Sequence, residues 1–276
     1  MLNTEQINEK FLEEYGSEDA VRKYSTGTAG FGIDYLLRND YAKEYLNAVD
    51  SYLKISPPRP LRLLEFGCGA GMNIITMVSL LERRRIPVEC AYGTDFSERL
   101  VQSATQEASS SLPPDLRKKL NFYVARNEKL VEDLAAARGK PAENLIGFFD
   151  LIIGVNTFRY CHRLGKENDC AADIYRMLQP GGVCVNIDMN DRFPAFRSHL
   201  KGSTEDPAEC YLPSLEEYAA PFKAAGFEIV KKGNFCWIPH SAGRALTLAC
   251  RFASPILNLV VPSRAMRSLV IARKNS

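Results

Sequence analysis

A chain of 276 residues, 46% hydrophobic and 25% charged, suits one large α/β domain or such a domain with additions, and can bury a sizeable core. A formal charge of +2 gives no global argument for nucleic acid or a membrane surface, so an electrostatic partner would need a local patch. No uncharged apolar run reaches the roughly 18 residues of a membrane span, and the polar, acid-bearing first ten residues do not read as a signal peptide.

In chain order, residues 4–53 read as helical. Ile7, Phe11, Leu12 and Tyr15 recur at helical spacing before a glycine-rich break at 24–32. Tyr35, Leu36, Tyr41, Tyr45, Leu46, Val49, Tyr52 and Leu53 resume the apolar face after it. Pro57-Pro58-Arg59-Pro60 ends this stretch, because proline cannot continue a helix. A helical cap over 1–57 and a main domain over 58–276 are therefore expected.

From Leu61 onward, strand and helix alternate five times. Leu61–Phe66 is the first strand, followed by Gly67-Cys68-Gly69-Ala70-Gly71 and a helix over 72–84. Strands follow at 88–94, 120–125, 149–156 and 183–189, with helices at 98–109, within 129–147 and at 169–178. The fourth strand is apolar almost throughout, as a parallel strand covered on both faces should be. That alternation predicts a doubly wound parallel sheet. Beyond it, 190–212 and 235–262 read as insertions around a helix at 215–225 and a strand at 227–231, and 268–273 closes the chain as a strand.

Eight cysteines lack any Cys-x-x-Cys pair and sit mostly in apolar runs, the pattern of reduced core residues in a cytosolic protein. His162, His199 and His240 lie too far apart in sequence to suggest a metal site, and none is expected.

In an open α/β sheet, ligands bind at the carboxyl ends of the strands near the switch point. Asp95, ending the second strand, can accept both ribose hydroxyls of a nucleoside cofactor; Phe96 either lies against an adenine or belongs to the core. Two cofactor classes use this layout. Nicotinamide enzymes want Gly-x-Gly-x-x-Gly to receive a pyrophosphate. Here the spacing is Gly67-x-Gly69-x-Gly71, preceded by Glu65, an acid better suited to a cationic amino-acid or sulfonium ligand than to a diphosphate.

Leu63-Leu64-Glu65-Phe66-Gly67-Cys68-Gly69-Ala70-Gly71 resembles the cofactor loop of class I S-adenosylmethionine-dependent methyltransferases. Gly93-Thr94-Asp95-Phe96-Ser97, Phe149-Asp150-Leu151-Ile152-Ile153 and Leu178-Gln179-Pro180-Gly181-Gly182 follow in the family's order, and Ser268–Arg273 is similar to its last strand. The resemblance implies a Rossmann-like seven-stranded sheet with the last strand antiparallel, inserted between strands five and six. It implies S-adenosylmethionine as cofactor and S-adenosylhomocysteine as product. Gly67, Cys68, Gly69 and Gly71 would shape the loop around the methionine part, Asp95 would hold the ribose and Phe96 would face the adenine. The family's acid after the third strand is replaced here by Arg126-Asn127, so Asn127 is the substitute contact; Asn156 would adjoin the methionine part.

The absence of an Asp/Asn-Pro-Pro-Tyr turn after the fourth strand, and of a Pro-Cys motif, points away from nucleic-acid acceptors and toward a small, lipophilic molecule of quinone or natural-product type. Methyl displacement from a sulfonium rests mainly on alignment, with a base needed only for a hydroxyl acceptor. His162 and His240 are the candidates for that base, and Tyr24 and Tyr160 for pocket walls. The apolar groups of 235–262 could fold over an acceptor, form a satellite core or make a homodimer contact. A non-catalytic adenosyl-binding module, or less readily a nicotinamide oxidoreductase, is the alternative use of this sheet.

Overall fold

The computed structural model describes residues 40–56, 59–194, 212–238 and 243–275. The elements are α1 (Tyr41–Leu53), β1 (Leu61–Phe66), α2 (Met72–Arg83), β2 (Val88–Asp95), α3 (Glu98–Ser111), α4 (Pro114–Arg117) and β3 (Leu120–Val124). They continue with α5 (Leu130–Arg138), β4 (Phe149–Val155), α6 (Phe158–Arg163), α7 (Glu167–Met177) and β5 (Leu178–Met189). The last are α8 (Leu215–Ala224), β6 (Glu228–Phe235), α9 (Arg244–Val260) and β7 (Arg267–Arg273).

The strands form one sheet in the order β3-β2-β1-β4-β5-β7-β6. The first five run parallel, and β7 is antiparallel to both β5 and β6. The chain winds outward from β1 to β3 and then returns to β4 on the other side of β1. The β1/β4 boundary is therefore the switch point.

Side chains alternate between the two faces, as the pleat requires. Leu61 and Leu63 of β1, with Leu151 and Ile153 of β4, join a core packed under α1, α2 and α3. Leu64, Phe66 and Ile152 join a second core under α5, α7 and α8. Both faces of the central strands are covered, which is why their sequences are apolar without alternation.

α1 is fastened to the base of the sheet by one buried carboxylate. Asp150, the second residue of β4, accepts from Tyr52 Oη (2.6 Å), from the Arg62 amide (2.7 Å) and from the Arg59 guanidinium. Gln179 reaches both Arg59 and Tyr52 across the same junction. A fully buried acid with three donors is stable only while all three remain.

Besides β6, which runs on to Phe235, and the short α4, three elements differ from the sequence expectation. β5 starts at Leu178 rather than Val183, because Gln179–Gly182 stays in the sheet through a register shift opposite Phe149–Leu151. A short helix, α6, fills the segment after β4. The 235–262 stretch contains a 17-residue helix that runs through Pro255, a residue that masks helical periodicity. The expectations on 1–39, Pro57-Pro58 and most of 190–212 lie outside the described residues.

Asp150→Ala should destabilise the fold by roughly 3 kcal/mol, since it leaves a buried tyrosine hydroxyl, an amide and a guanidinium without their acceptor. Denaturant titration checks this; a loss below about 0.5 kcal/mol would show that the junction does not depend on the carboxylate.

Candidate functional site

The carboxyl ends of β1 and β2 carry two buried acids, each fastened to a different part of the glycine loop. Glu65 is fully buried; its Oε1 accepts from Asn73 Nδ2 and its Oε2 from the Ile74 amide, both at 2.8 Å. It thereby binds β1 to the first turn of α2, where the helix dipole favours an anion. Asp95 accepts from the Gly69 amide through Oδ2 (2.9 Å) and from the Ser97 amide through Oδ1 (3.0 Å). The loop is closed further by the Cys68 amide donating to Thr94 O (2.7 Å).

Burial pushes Glu65 up to about 8 and Asp95 up to about 6, while the hydrogen bonds they accept pull both down. The Cys68 thiol is buried between them and is held well above its usual range, first by desolvation and then by the two carboxyls. It is a packing group rather than a nucleophile.

Gly67 and Gly71 cannot be replaced without moving the site. Both have positive φ (59° and 81°). A Cβ at Gly67 would lie 1.9 Å from Thr157 Oγ1, and one at Gly71 would lie 2.9 Å from the Phe122 ring. Thr157, just beyond β4, thus lies directly against the loop, and its hydroxyl accepts from Asn127 Nδ2 (2.7 Å).

This donor set discriminates between ligands. A diphosphate needs free loop amides, yet the Gly69 amide is given to Asp95 and the Gly71 amide to Cys68 O (2.9 Å). Asp95, ionised at neutral pH, would repel a diphosphate and attract a sulfonium or ammonium group. The residues present therefore fit a cationic nucleoside.

The sequence-named residues fall into three groups. Glu65, Gly67, Cys68, Gly69, Gly71 and Asp95 come together around one loop, and Phe96 follows directly at the start of α3. Asn127 and Asn156 stand beside it through Thr157; Asn127 is engaged with that hydroxyl. Asn156 has a left-handed backbone (φ 56°), and its Oδ1 accepts from Arg267 (2.9 Å). His162 lies apart, edge-on to the rings of Phe158 and Tyr218 at centroid distances of 5.1 and 5.6 Å. Its Nε2 is buried with no hydrogen-bond partner among the described residues. His240 and Tyr24 lie outside the described residues.

Sequence reasoning did not find the polar cluster beyond β4, β5 and β7. Asp188, fully buried, accepts from the Arg159 amide (3.0 Å) and the Met189 amide (2.9 Å). Arg267 is 2% exposed, the largest fully buried side chain. Its position at the start of an apolar strand carried no signal, since an arginine there ordinarily reads as a solvated end. Among the described residues no three His, Cys, Asp or Glu side chains are grouped to hold a metal, and no helix is long and apolar enough to cross a membrane.

Comparison with known proteins bears on this geometry. Residues 37–232 match a family described as a methyltransferase domain. A non-reducing polyketide synthase, SAT8 of Stachybotrys chartarum, is 28% identical over 174 residues, covering 61% of this chain. The citrinin polyketide synthase of Monascus ruber is 28% identical over 190 residues, covering 65%. Each match spans only 6% of those much longer proteins. In fold, the chain is similar to geranyl diphosphate C-methyltransferase from Streptomyces coelicolor, solved with S-adenosyl-L-homocysteine. The two share a TM-score of 0.52 and 15% identity over 84% of this chain and 79% of that one.

Burial lowers the His162 pKa, so the folded chain binds its proton less readily than the unfolded chain does. The neutral ring's contribution to stability is present above the unfolded value of about 6.5 and is lost as pH falls below it. His162→Phe should flatten the decline in stability between pH 7 and pH 5, measured by urea titration. An unchanged decline would place the titrating group elsewhere.

Proposed function

The chain belongs to the methyltransferase-domain family, its methyl donor is S-adenosylmethionine, and we propose that a small, lipophilic acceptor attacks the donor's methyl group and displaces S-adenosylhomocysteine. The observation that carries the cofactor assignment is the acid-lined loop, in which Asp95 and the Gly69 amide are joined at 2.9 Å. When bound, S-adenosylmethionine supplies an electrophilic methyl group on a sulfonium and leaves as S-adenosylhomocysteine.

The residues divide that task. Gly67, Cys68, Gly69 and Gly71 give a backbone surface without side chains projecting over the methionine part. Asp95 accepts from the ribose hydroxyls while retaining its amide donors. Phe96 covers the adenine, with Asn127 at its edge. Glu65 acts from behind the loop: both its oxygens are committed to α2, so it holds the loop's shape. Asn156, set in its left-handed conformation and held by Arg267, faces the methionine part at the switch point.

Alignment of the acceptor carries most of the rate, since a displacement of this kind needs little covalent help. The polyketide synthases similar to this chain support an acceptor of polyketide type, whose activated carbon or oxygen can be the nucleophile. A base is required only for an acceptor that arrives protonated, and His162 or His240 would fill that role.

Hydroxyl donors favour the charged carboxylate, so S-adenosylhomocysteine should bind best with Asp95 ionised. Its affinity should fall as pH drops below about 6, by about tenfold per unit, when followed by calorimetry. Asp95→Asn sets an amide donor against the Gly69 or Ser97 amide, and should weaken binding by about tenfold or more and abolish the pH dependence. A flat profile in the unaltered chain would remove Asp95 from the site.

A further inference from the structure

α9 sits on the domain with its faces reversed. Its inward side is the more polar one: Thr247 is buried, and Ser254 turns its hydroxyl back to donate to Cys250 O (2.7 Å). Its outward side carries Leu248, Phe252, Ile256 and Leu259, and Phe252 and Leu259 are 81% and 84% exposed. An ordinary surface helix does the opposite. Successive members of that stripe are three or four residues apart, so they line up as one ridge about 16 Å long. A contiguous apolar ridge of this kind marks a surface that a partner covers.

Charge and topology indicate the partner. No Asp or Glu follows Glu228 in the chain, while Arg251 and Arg264 stand exposed on α9 and in the turn after it. Arg251 also acts on Asp40, at the start of α1. Trp237, half-buried, donates from Nε1 to Asn258 of α9 (2.7 Å), which sets an indole ring on the helix flank. A second copy is a poor match for such a face. Antiparallel pairing about Phe252 would set the two Arg251 side chains together, with no acid on the helix to answer them. The ridge also projects into solvent, and a fluid apolar medium accepts a projecting ridge without a matching groove.

Because β7 is antiparallel to both β5 and β6, the segment that contains α9 leaves β6 and enters β7 at the edge of the sheet that carries the glycine loop. We propose that the outer face of α9 docks this chain on an anionic lipid surface. Leu248, Phe252, Ile256 and Leu259 enter the acyl boundary, and Arg251 and Arg264 meet the headgroup charge. The docking stands apart from the choice of acceptor. Its consequence, that a lipophilic acceptor would be met at the ligand-binding edge, rests on the methyltransferase reading.

The test is sedimentation of the full chain with vesicles of phosphatidylcholine alone and of phosphatidylcholine mixed equally with phosphatidylserine. The emission of Trp237, the single tryptophan, is followed in parallel. The chain should bind the mixed vesicles tenfold or more tightly than the neutral ones, lose that preference in high salt, and shift its emission to the blue. Phe252→Ser combined with Leu259→Ser should weaken binding tenfold or more while keeping the Tm, since both side chains are exposed. Leu248→Ser alone should weaken it by less, and serves if the double variant does not fold. Arg251→Gln combined with Arg264→Gln should remove the preference for phosphatidylserine.

No binding to either vesicle, equal binding to both, or undiminished binding by the serine variants would overturn the proposal. Binding with unshifted emission would overturn it too, by placing the contact away from α9. So would a dimer in sedimentation velocity that the serine variants convert to monomers, which makes a second copy the occupant. Vesicle binding by a chain that fails to bind S-adenosylhomocysteine would remove the methyltransferase reading and leave the docking in place.

Discussion

The hydrogen bond from the Gly69 amide to Asp95 is the contact on which the site depends. It joins the loop after β1 to the end of β2, and it uses a backbone donor that a phosphate-binding loop would keep for its ligand. Glu65 makes the matching contact behind the loop, holding the start of α2 through Asn73 and Ile74. With both acids committed and buried, the loop is held in one shape, and Asp95 gives it a negative charge at neutral pH. That combination suits a cationic nucleoside better than a diphosphate.

The acids would carry little meaning without the sheet that brings them together. Because β1 lies between β2 and β4, the loop after β1 meets Asp95 on one side and Thr157 on the other. Thr157 fills the space in which a Cβ at Gly67 would lie, so the loop and the segment after β4 are packed as one unit. Asn156, next in that segment, is tied by Arg267 to β7, the strand that runs against the others. The glycine loop, the segment after β4 and β7 are thus mechanically continuous.

How much of this was legible in the sequence depends on the kind of signal. The parallel strands were, because burial on both faces leaves continuous apolar runs such as 149–155. The sharp turn after β1 was, because three glycines at two-residue spacing between an apolar strand and a helix mark one, and Gly67, Gly69 and Gly71 all have positive φ. α9 was hidden by Pro255, although Arg244, Thr247, Arg251, Ser254 and Asn258 recur along it at helical spacing. Arg267 and Asp188 were hidden for a different reason. Their partners come from β4, β5 and β7, far apart in the chain, and a buried ion cluster has no local pattern. Asn127 was legible as a residue at the right place, but its hydrogen bond to Thr157 follows only from the packing of two loops.

The central claim is that an acid-lined glycine loop selects an S-adenosyl cofactor over a dinucleotide. Calorimetric titration of the full chain with S-adenosylhomocysteine and, separately, with NAD at neutral pH tests it most directly. Saturable binding of S-adenosylhomocysteine with no heat from NAD is the result predicted. Binding of NAD without S-adenosylhomocysteine would contradict the account at its base.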